Sequence, residues 1–546
     1  MSELTQFHVM KWETLRTERS NFDNLWEETA AFIVPSHINS FTGRGLDVAN
    51  GAAGQKKTYH QYDSTAAISA QRFSSVMESL NTPQSSMWHR LVPADKTLKK
   101  NRAVRLFFDD LNDLLFSYRY RPAANFVGNS QQTYLGLGAY GNGGLFIDKP
   151  RDGSKGLWYR NYHLGEIYWV ENAAGIVDGF YRSYHQTARQ IIDEFGEAAP
   201  EPAKEAAKNP QQAEKKFEIL HCVYPRKDAD PRRVDPKGMP FASLYIFIQT
   251  KELISEGGYG SFPMASARYY QSPGEVYGRG PGQMVLAAIK VLNDEKKTVL
   301  KQGHRAVDPV LLAHDDGQLG NFSTKPGKLN PGGVSKEGRP LVHALPVGSI
   351  EVGDKLMEME KIDIKAAFLI DLFQILIDSP QMTATEVLER AREKGMFIAP
   401  IAGRLQAEFL GRMIERELDL LFRQGLVPPL PPILRDAEAA EYKIEYDSPM
   451  SRMQRSEKAA GFMRALQVAS EYAKMTGDVT PLDHFDFDVA TPEILDIQGS
   501  PTGWTRSADA IKKLREGRAQ AQQQAQMVEA APAAASVIST MSKAKP

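Results

Sequence analysis

Twenty residues near the middle of the chain, Gln283 to Gln302, contain neither proline nor glycine and are rich in good helix formers. A second helical pattern begins at Ile350, and between the two lie residues 304–348, with two short apolar runs and many turn residues. Apolar runs bounded by glycine and proline are typical of short strands. The sequence therefore predicts two helices that flank a small β-rich excursion and return antiparallel to each other.

The segment before the first helix, residues 270–282 (YQSPGEVYGRGPG), has four glycines and raises the question of a phosphate-binding loop. A Walker loop needs Gly, four residues and Gly-Lys-Ser/Thr, and the chain contains no such string. Gln283 stands where the dinucleotide fingerprint requires its third glycine, and Pro281 lacks an amide N–H. We therefore interpret the segment as a sharp turn that starts the helix, with Pro281 in the first helical turn.

A complete G-x-G-x-x-G pattern occurs elsewhere, at Gly136, Gly138 and Gly141. A predicted helix precedes it and a predicted strand follows it, which reverses the order found in dinucleotide-binding folds. We expect this pattern to be a helix-to-strand turn.

No other pattern indicates catalysis or the binding of a metal or cofactor. Asp483, Asp486 and Asp488 lack the glycine and the distal glutamate of a calcium loop. The chain also contains no H-E-x-x-H, no paired Cys/His spacing and no G-x-S-x-G elbow. We interpret its single cysteine, Cys222, as a buried, inert thiol in a strand. The sequence thus predicts no catalytic residue, no cofactor, no metal and no enzymatic activity.

The composition limits the partners of the chain. Its 66 Lys and Arg against 67 Asp and Glu give a net charge of -1, which argues against binding nucleic acid by bulk neutralisation of phosphates. Residues 1–19 are polar and charged, unlike a signal peptide. The longest apolar run, 366–377, is too short to cross a bilayer and carries Asp371. We expect a soluble protein that is cytoplasmic when made.

The periodicity along the chain predicts an α+β protein that is mostly helical. Residues 197–216, charged and bearing alanine and proline, are expected to form a connector with little to bury. Further helices are predicted near 3–33, 65–82, 101–118, 122–136, 402–424, 451–475 and 506–530. Strands are predicted at 144–148, 157–162, 166–170, 175–185, 217–225, 241–249 and 262–269.

The two central helices carry opposite charge. Residues 283–305 have five basic and two acidic side chains, and residues 349–367 have three basic and five acidic ones. This complementarity favours packing of the helices within or between subunits, although two solvated helix faces would show the same pattern. Arg279 is a candidate partner for a carboxylate of the same or a neighbouring subunit. The other candidate interface residues are Lys290, Lys297, Glu351, Asp354 and Glu358.

Several segments, in this order, resemble the head-to-tail connector, or portal, proteins of short-tailed bacteriophages (podoviruses). They are YDSTAAISAQRFSSVMESLNTPQSSMWHRL (62–91), PMASARYYQSPGEVYGRGPGQMVLAAIKVLN (263–293), MTATEVLERAREK (382–394) with RLQAEFLGRMIERELDLLFRQGLVPPLPP after it, and GSPTGWTRSADAIKKLREGR near the end. The resemblance implies a ring, usually of twelve copies, at one capsid vertex, through which DNA is packaged and later ejected.

The resemblance also implies a division of the chain into the regions of a portal subunit. Residues 1–282 and 385–450 would form a wing, 283–303 and 349–375 two stem helices, and 304–348 the clip between them. Residues 376–384 would form a tunnel loop, 451–530 the crown helices and 531–546 a mobile tail. The candidate DNA contacts in the channel are Lys355, Lys361, Lys365, Ser379 and Gln381.

The partners that the resemblance implies are further copies of the chain, double-stranded DNA, the terminase large subunit, major capsid and scaffolding proteins, and tail adaptor and internal core proteins. The protein would reside in the virion after assembly in the host cytoplasm, without contact to a membrane. Two alternatives remain: a nucleotide-using phage DNA enzyme such as the packaging ATPase, and a head-to-tail adaptor ring protein. The missing Walker loop argues against the first alternative.

Overall fold

The computed structural model describes residues 3–42, 57–58, 61–95, 97–230, 232–233, 235–313, 322–346, 348, 350–370, 400–435, 441–446, 449–478, 480–497 and 510–521. Over these residues the protein is α+β and mostly helical, as predicted. The chain divides into two compact units, each made from two separate segments. The first unit is Met1–Ser86 with Tyr118–Leu426, and the second is Met87–Ser117 with Val427–Pro546.

The described helices, in chain order, are α1 (Glu3–Ile33), α2 (Thr65–Asn81), α3 (Arg102–Arg119), α4 (Phe126–Tyr140), α5 (Ala188–Phe195), α6 (Glu201–Lys208), α7 (Pro281–Met284), α8 (Leu286–Val307), α9 (Ile350–Ala367), α10 (Gly411–Arg423), α11 (Pro449–Thr476) and α12 (Phe487–Ile497). A π-helical turn, Gln406–Leu410, directly precedes α10. Residues 510–521 are also helical.

The described strands are β1 (His89–Pro93), β2 (Asn142–Asp148), β3 (Trp158–Tyr162), β4 (Ile167–Glu171), β5 (Val177–Thr187), β6 (Lys216–Pro225), β7 (Phe241–Phe247), β8 (Glu252–Tyr259), β9 (Met264–Arg268), β10 (Leu311–Ala313), β11 (Val342–Ala344) and β12 (Tyr442–Tyr446). They form antiparallel sheets of order β4-β5-β6-β7-β8, β3-β2-β9, β10-β11 and β1-β12.

The five-stranded sheet of the first unit is covered by helices on both faces. Because side chains alternate along a strand, Leu220 and Cys222 of β6 face α1 and pack with its Trp12. Ile219 of β6 lies on the opposite face and packs in a cluster with residues of α5 and α6. Cys222 is fully buried, and burial raises the pKa of its thiol well above the ordinary value. The prediction of a buried thiol in a strand is confirmed.

The prediction for residues 197–216 was wrong. The segment contains α6, whose Ala203 and Ala206 are buried in the cluster that covers the sheet. Two alanines spaced three residues apart bury a narrow helix face, so the high charge of the segment concealed its contact with the core. The strand β8 was also missed, because Gly257 and Gly258 and two glutamates weaken its β pattern.

The second unit contains α3, α11, α12 and the two-stranded sheet β1-β12, in which His89 pairs with Tyr446 and Pro93 with Tyr442. Asn112 of α3 holds β1 from the side. Its Oδ1 accepts the N–H of Leu91 at 2.8 Å, and its Nδ2 donates to the Leu91 carbonyl at 3.2 Å. The helices predicted near 101–118 and 451–475 are confirmed as α3 and α11.

Candidate functional site

The two glycine-rich segments of the chain lie directly against each other in the first unit. A Cβ on Gly280 would come within 2.5 Å of the Gly141 amide N and 2.7 Å of the Leu137 carbonyl O. Gly141 itself has a φ of 74°, in the left-handed region that favours glycine. Backbone therefore approaches backbone more closely than any side chain allows. We call this contact of residues 136–141 with 278–282 the glycine junction.

Asn142, the first residue of β2, links the two sides of the glycine junction. Its Oδ1 accepts the N–H of Gly278 at 2.7 Å, and its Nδ2 donates to the Gly278 carbonyl at 2.8 Å. The N–H of Gly280 donates to Oε1 of Gln283 at 3.1 Å. The N–H groups of Gly278 and Gly280, which a phosphate would need, thus donate to side chains of the same chain. Pro281 has no N–H to offer. The glycines serve close packing rather than the binding of an anion.

The chain leaves the glycine junction directly into a helix. Pro281 is the first residue of α7, and α8 follows after Val285. The interpretation of residues 270–282 as a turn that starts the helix is confirmed, and so is the helix-to-strand turn at 136–141, between α4 and β2. Arg279 forms an ion pair with Glu275 of its own chain at 2.6 Å and retains 43% exposure of its side chain.

Arg268, at the end of β9, ties the glycine-rich segment to the helix that precedes α10. Its side chain is 1% exposed and forms ion pairs with Glu171 of β4 and, at 2.7 Å, with Glu408 of the π-helical turn. It also donates to the carbonyls of Val276 at 3.0 Å and Gly175 at 2.9 Å. Burial alone lowers the pKa of Arg268, but the hydrogen bonds to Glu408 and Glu171 raise it above the ordinary value.

Sequence reasoning missed Arg268. A signal was present in the sequence, because β9 otherwise consists of apolar or small residues and Arg268 is its one charged residue. All five residues of β9 are buried. A charge in such a strand must find partners. The sequence does not show which carboxylates these are, since Glu171 and Glu408 are about 100 and 140 residues away.

The helices α8 and α9 pack against each other in an antiparallel arrangement, as predicted. A Cβ on Gly353 of α9 would come within 2.6 Å of Val299 of α8, and a Cβ on Gly348 would come within 2.9 Å of Gln302. The later residue of α8, Gln302, thus contacts the earlier glycine, Gly348, so the two segments run antiparallel. Met357 and Ile364 form the buried face of α9, one heptad apart.

The described ion pairs do not run between α8 and α9. Lys290 of α8 pairs with Glu28 of α1, and Lys361 pairs with Glu358 on its own helix at 3.6 Å. Glu295 of α8 has its pKa raised, first by burial and then by the neighbouring carboxylate of Glu360 on α9. The packing was predicted, but it rests on apolar and small residues rather than on the complementary charge.

The other candidate site residues of this helical pair differ in exposure. Lys355 of α9 is exposed, whereas Lys365 is half-buried. Lys297 of α8 is half-buried, with its Nζ 5.4 Å from the ring centre of Tyr62. The acidic candidates of α9, namely Glu351, Asp354 and Glu358, are all exposed. Ser379 and Gln381 lie outside the described residues.

The excursion between α8 and α9 presents two closed turns next to its short strands β10 and β11. In the first, Asn330 donates to the Ser323 carbonyl and accepts the Ser323 N–H, both at 2.8 Å. In the second, the N–H of Ser335 donates to the Arg339 carbonyl at 2.8 Å, and the N–H of Gly338 donates to the Ser335 carbonyl at 3.0 Å. These bonds hold the turns 325–328 and 335–339 in place.

Among the residues that the structure describes, no group of three or more His, Cys, Asp or Glu side chains could hold a metal ion. No helix in the described part of the chain is both long and apolar enough to span a membrane.

Comparison with known proteins gives consistent matches over most of the chain. The family model described as "Bacteriophage head to tail connecting protein" matches residues 8–505. A probable portal protein of Bordetella phage BPP-1 is 24% identical over 534 residues, which cover 96% of this chain and 93% of that protein. A portal protein of Salmonella phage epsilon15 is 23% identical over 536 residues, which cover 97% of this chain and 94% of that protein.

Proposed function

The chain belongs to the family of bacteriophage head-to-tail connecting proteins, and on that premise we propose that it is the portal protein of a short-tailed phage. Twelve copies form a ring at one vertex of the capsid, and double-stranded DNA passes through the ring during packaging and ejection. The observation that carries this proposal is the extent of the family match, from residue 8 to residue 505 of 546.

The described elements support an assignment of regions. In this proposal α8 and α9 are the stem helices, predicted at 283–303 and 349–375, and β10 and β11 belong to the clip, 304–348. α8 continues to Val307, four residues beyond the predicted end of the first stem helix. The two larger sheets and the helices that cover them belong to the wing, 1–282 and 385–450. The helices α11, α12 and 510–521 belong to the crown, 451–530. The tunnel loop, 376–384, and the tail, 531–546, lie outside the described residues.

The stem supplies the candidate contacts with DNA and with neighbouring copies. We propose that Lys355, Lys361 and Lys365 contact DNA, with Ser379 and Gln381. Lys290, Lys297, Glu351, Asp354, Glu358 and Arg279 contribute to interfaces between copies. The exposure of Glu351, Asp354 and Glu358 supports this role, because their charge is not used within the chain by any described ion pair other than Lys361–Glu358.

The ring has no enzymatic activity in this proposal. It binds the terminase large subunit during packaging, capsid and scaffolding proteins during assembly in the host cytoplasm, and tail adaptor and internal core proteins in the virion. In the glycine junction the N–H groups of Gly278 and Gly280 donate to side chains of the same chain, which supports the absence of a nucleotide site there.

The oligomeric state of the purified protein tests the proposal. Light scattering is expected to give a mass of about 730 kDa, twelve times the 60.8 kDa chain, and negative-stain images are expected to show rings with an axial hole. Monomers that hydrolyse ATP would contradict it and favour a nucleotide-using enzyme.

Charge reversal tests the stem lysines. The triple variant Lys355→Glu, Lys361→Glu and Lys365→Glu is expected to reduce the amount of DNA packaged and retained, with rings still formed. The matched control reverses three exposed lysines of the first unit, Lys208, Lys227 and Lys237. Equal packaging by wild type and the stem variant would remove these lysines from the channel assignment.

A further inference from the structure

The excursion between α8 and α9 concentrates positive charge that the near-zero net charge of the chain conceals. Residues 296–346 contain eight lysines and arginines against four aspartates and glutamates, a net charge of +4. The whole chain carries -1, so the residues outside this segment carry -5. Two of the four acids, Asp315 and Asp316, lie outside the described residues.

Six of these basic residues are exposed, and the described residues of the segment contain no ion pair that neutralises them. Two lie in the last turns of α8, and each of the two closed turns presents two more. Asn330 and Ser335 hold those turns by hydrogen bonds to the backbone, so the backbone that carries these side chains is fixed. We call this set the basic tip: Lys301, Arg305, Lys325, Lys328, Lys336 and Arg339.

Ring symmetry repeats the basic tip in every copy at the same distance from the ring axis, so the tips of neighbouring copies bring like charges near one another. This step rests on the proposed ring, in which twelve copies would gather about seventy basic side chains at one end. Such a concentration of positive charge attracts a polyanion.

We propose that the basic tip is a binding surface for the backbone of double-stranded DNA, independent of its sequence. DNA carries one negative charge per about 1.7 Å of helix axis, and lysine and arginine bind its phosphates with release of counterions. An acidic protein is the less favoured polyanion, because protein interfaces have an apolar and aromatic core. The turns 325–328 (KPGK) and 335–339 (SKEGR) contain no aromatic or large aliphatic residue.

Salt-dependent binding of DNA by the purified, full-length protein tests the proposal. The probe is a fluorescent duplex of mixed sequence and about 40 base pairs, titrated at salt concentrations between about 50 and 200 mM. The tip variant replaces Lys325, Lys328, Lys336 and Arg339 with glutamine. The matched control replaces four exposed lysines of the first unit, Lys208, Lys227, Lys237 and Lys251, so that each chain loses the same charge. A third variant carries Lys355→Gln, Lys361→Gln and Lys365→Gln.

The tip variant is expected to bind the duplex at least about tenfold more weakly near 100 mM salt. Its slope of log affinity against log salt is expected to be smaller by about 2 to 4, since each lost phosphate contact removes about 0.9. The control should stay within about twofold of wild type. The proposal is overturned if the tip variant binds like wild type or if the control loses as much affinity. Loss of polyglutamate binding with unchanged duplex binding would likewise overturn it and assign the tip to an acidic protein.

Negative-stain images of the same preparations separate this proposal from the proposed function. Wild-type rings that do not bind the duplex would overturn the DNA surface and leave the ring intact. Monomers whose duplex binding depends on the basic tip would support the DNA surface and contradict the ring.

Discussion

From the close approach of backbone at the glycine junction, we predict that alanine at Gly280 lowers the stability of the protein, whereas alanine at a glycine with open space around it raises it. Gly280 has a φ of -100°, which any residue adopts, so alanine there costs no backbone strain. Its Cβ, however, would lie 2.5 Å from the Gly141 N and 2.7 Å from the Leu137 O, both backbone atoms. Neither atom can rotate away as a flexible side chain would. We expect Gly280→Ala to destabilise the protein by about 1 to 3 kcal/mol, the cost of overpacking.

Gly303 in α8 and Gly461 in α11 are the matched controls. Nothing lies within 4 Å of a Cβ at either position, and both are in helices. Alanine has a higher helix propensity than glycine, so each control is expected to stabilise its helix by about 0.5 to 1 kcal/mol. The predicted effects therefore differ in sign as well as in size.

Urea unfolding followed by tryptophan fluorescence measures the effect at the glycine junction. Trp26 and Trp169 are buried, and their rings lie 5.1 and 5.5 Å from that of Tyr277, which is close to the junction in sequence. With an m-value of about 3 kcal/mol per M, the midpoint of Gly280→Ala should fall by about 0.3 to 1 M. A midpoint equal to or above that of wild type would refute the steric argument. So would an equal fall for Gly303→Ala and Gly461→Ala.

Three further predictions follow from buried polar and titratable groups. Arg119 and Glu417 form an ion pair with both side chains 0% exposed, so Glu417→Gln should lower the free energy of unfolding by about 3 to 5 kcal/mol, measured by the same urea assay. The exposed pair Arg233–Asp235 is the control, and Asp235→Asn should leave the urea midpoint close to that of wild type, because solvent screens an exposed pair. Similar losses for the two variants would contradict the argument from burial. Burial lowers the pKa of His221 to about 3 and that of His8 to about 4, so below about pH 6.5 the unfolded chain binds protons that the folded protein does not. The free energy of unfolding should therefore fall between pH 6.5 and pH 5, by up to about 1.4 kcal/mol per pH unit for each histidine. A urea midpoint that stays constant over this range would contradict the burial of the histidines. The buried Cys222, whose thiol pKa is raised, should react with a thiol reagent only when the protein is unfolded in urea, and rapid labelling of the native protein would contradict its burial.

Most elements of the fold were predictable because periodicity and turn residues are local signals. The helices α2, α4 and α8 and the strands β2 to β7 fall within a few residues of their predicted ranges. The exceptions have a common physical cause. α6 buries only small alanines and β8 contains adjacent glycines, so tertiary contacts rather than local propensity determine both elements.

The candidate site was predictable only in part, because contacts between distant segments leave little trace in a sequence. The glycines at 136–141 and at 278–282 each stood out, yet their spacing does not show that they pack against each other. Arg268 joins Glu171 and Glu408 across about 240 residues of chain. The opposite charges of α8 and α9 suggested that the helices pack, but the described contacts between them are formed by Val299, Gly353 and their neighbours.

The pairing of β1 with β12 constrains the order of events during synthesis. About 350 residues separate Pro93 from its partner Tyr442, and a ribosome adds roughly 5 to 20 residues per second. The β1 strand therefore leaves the ribosome roughly 20 to 70 s before its partner exists. During that interval the edge of β1 has no strand to pair with. Trp88 and Leu91, which are buried in the folded protein, lie at this edge. A nascent chain with such a delay is a natural client for a chaperone, and the delay lengthens wherever translation slows between these two strands.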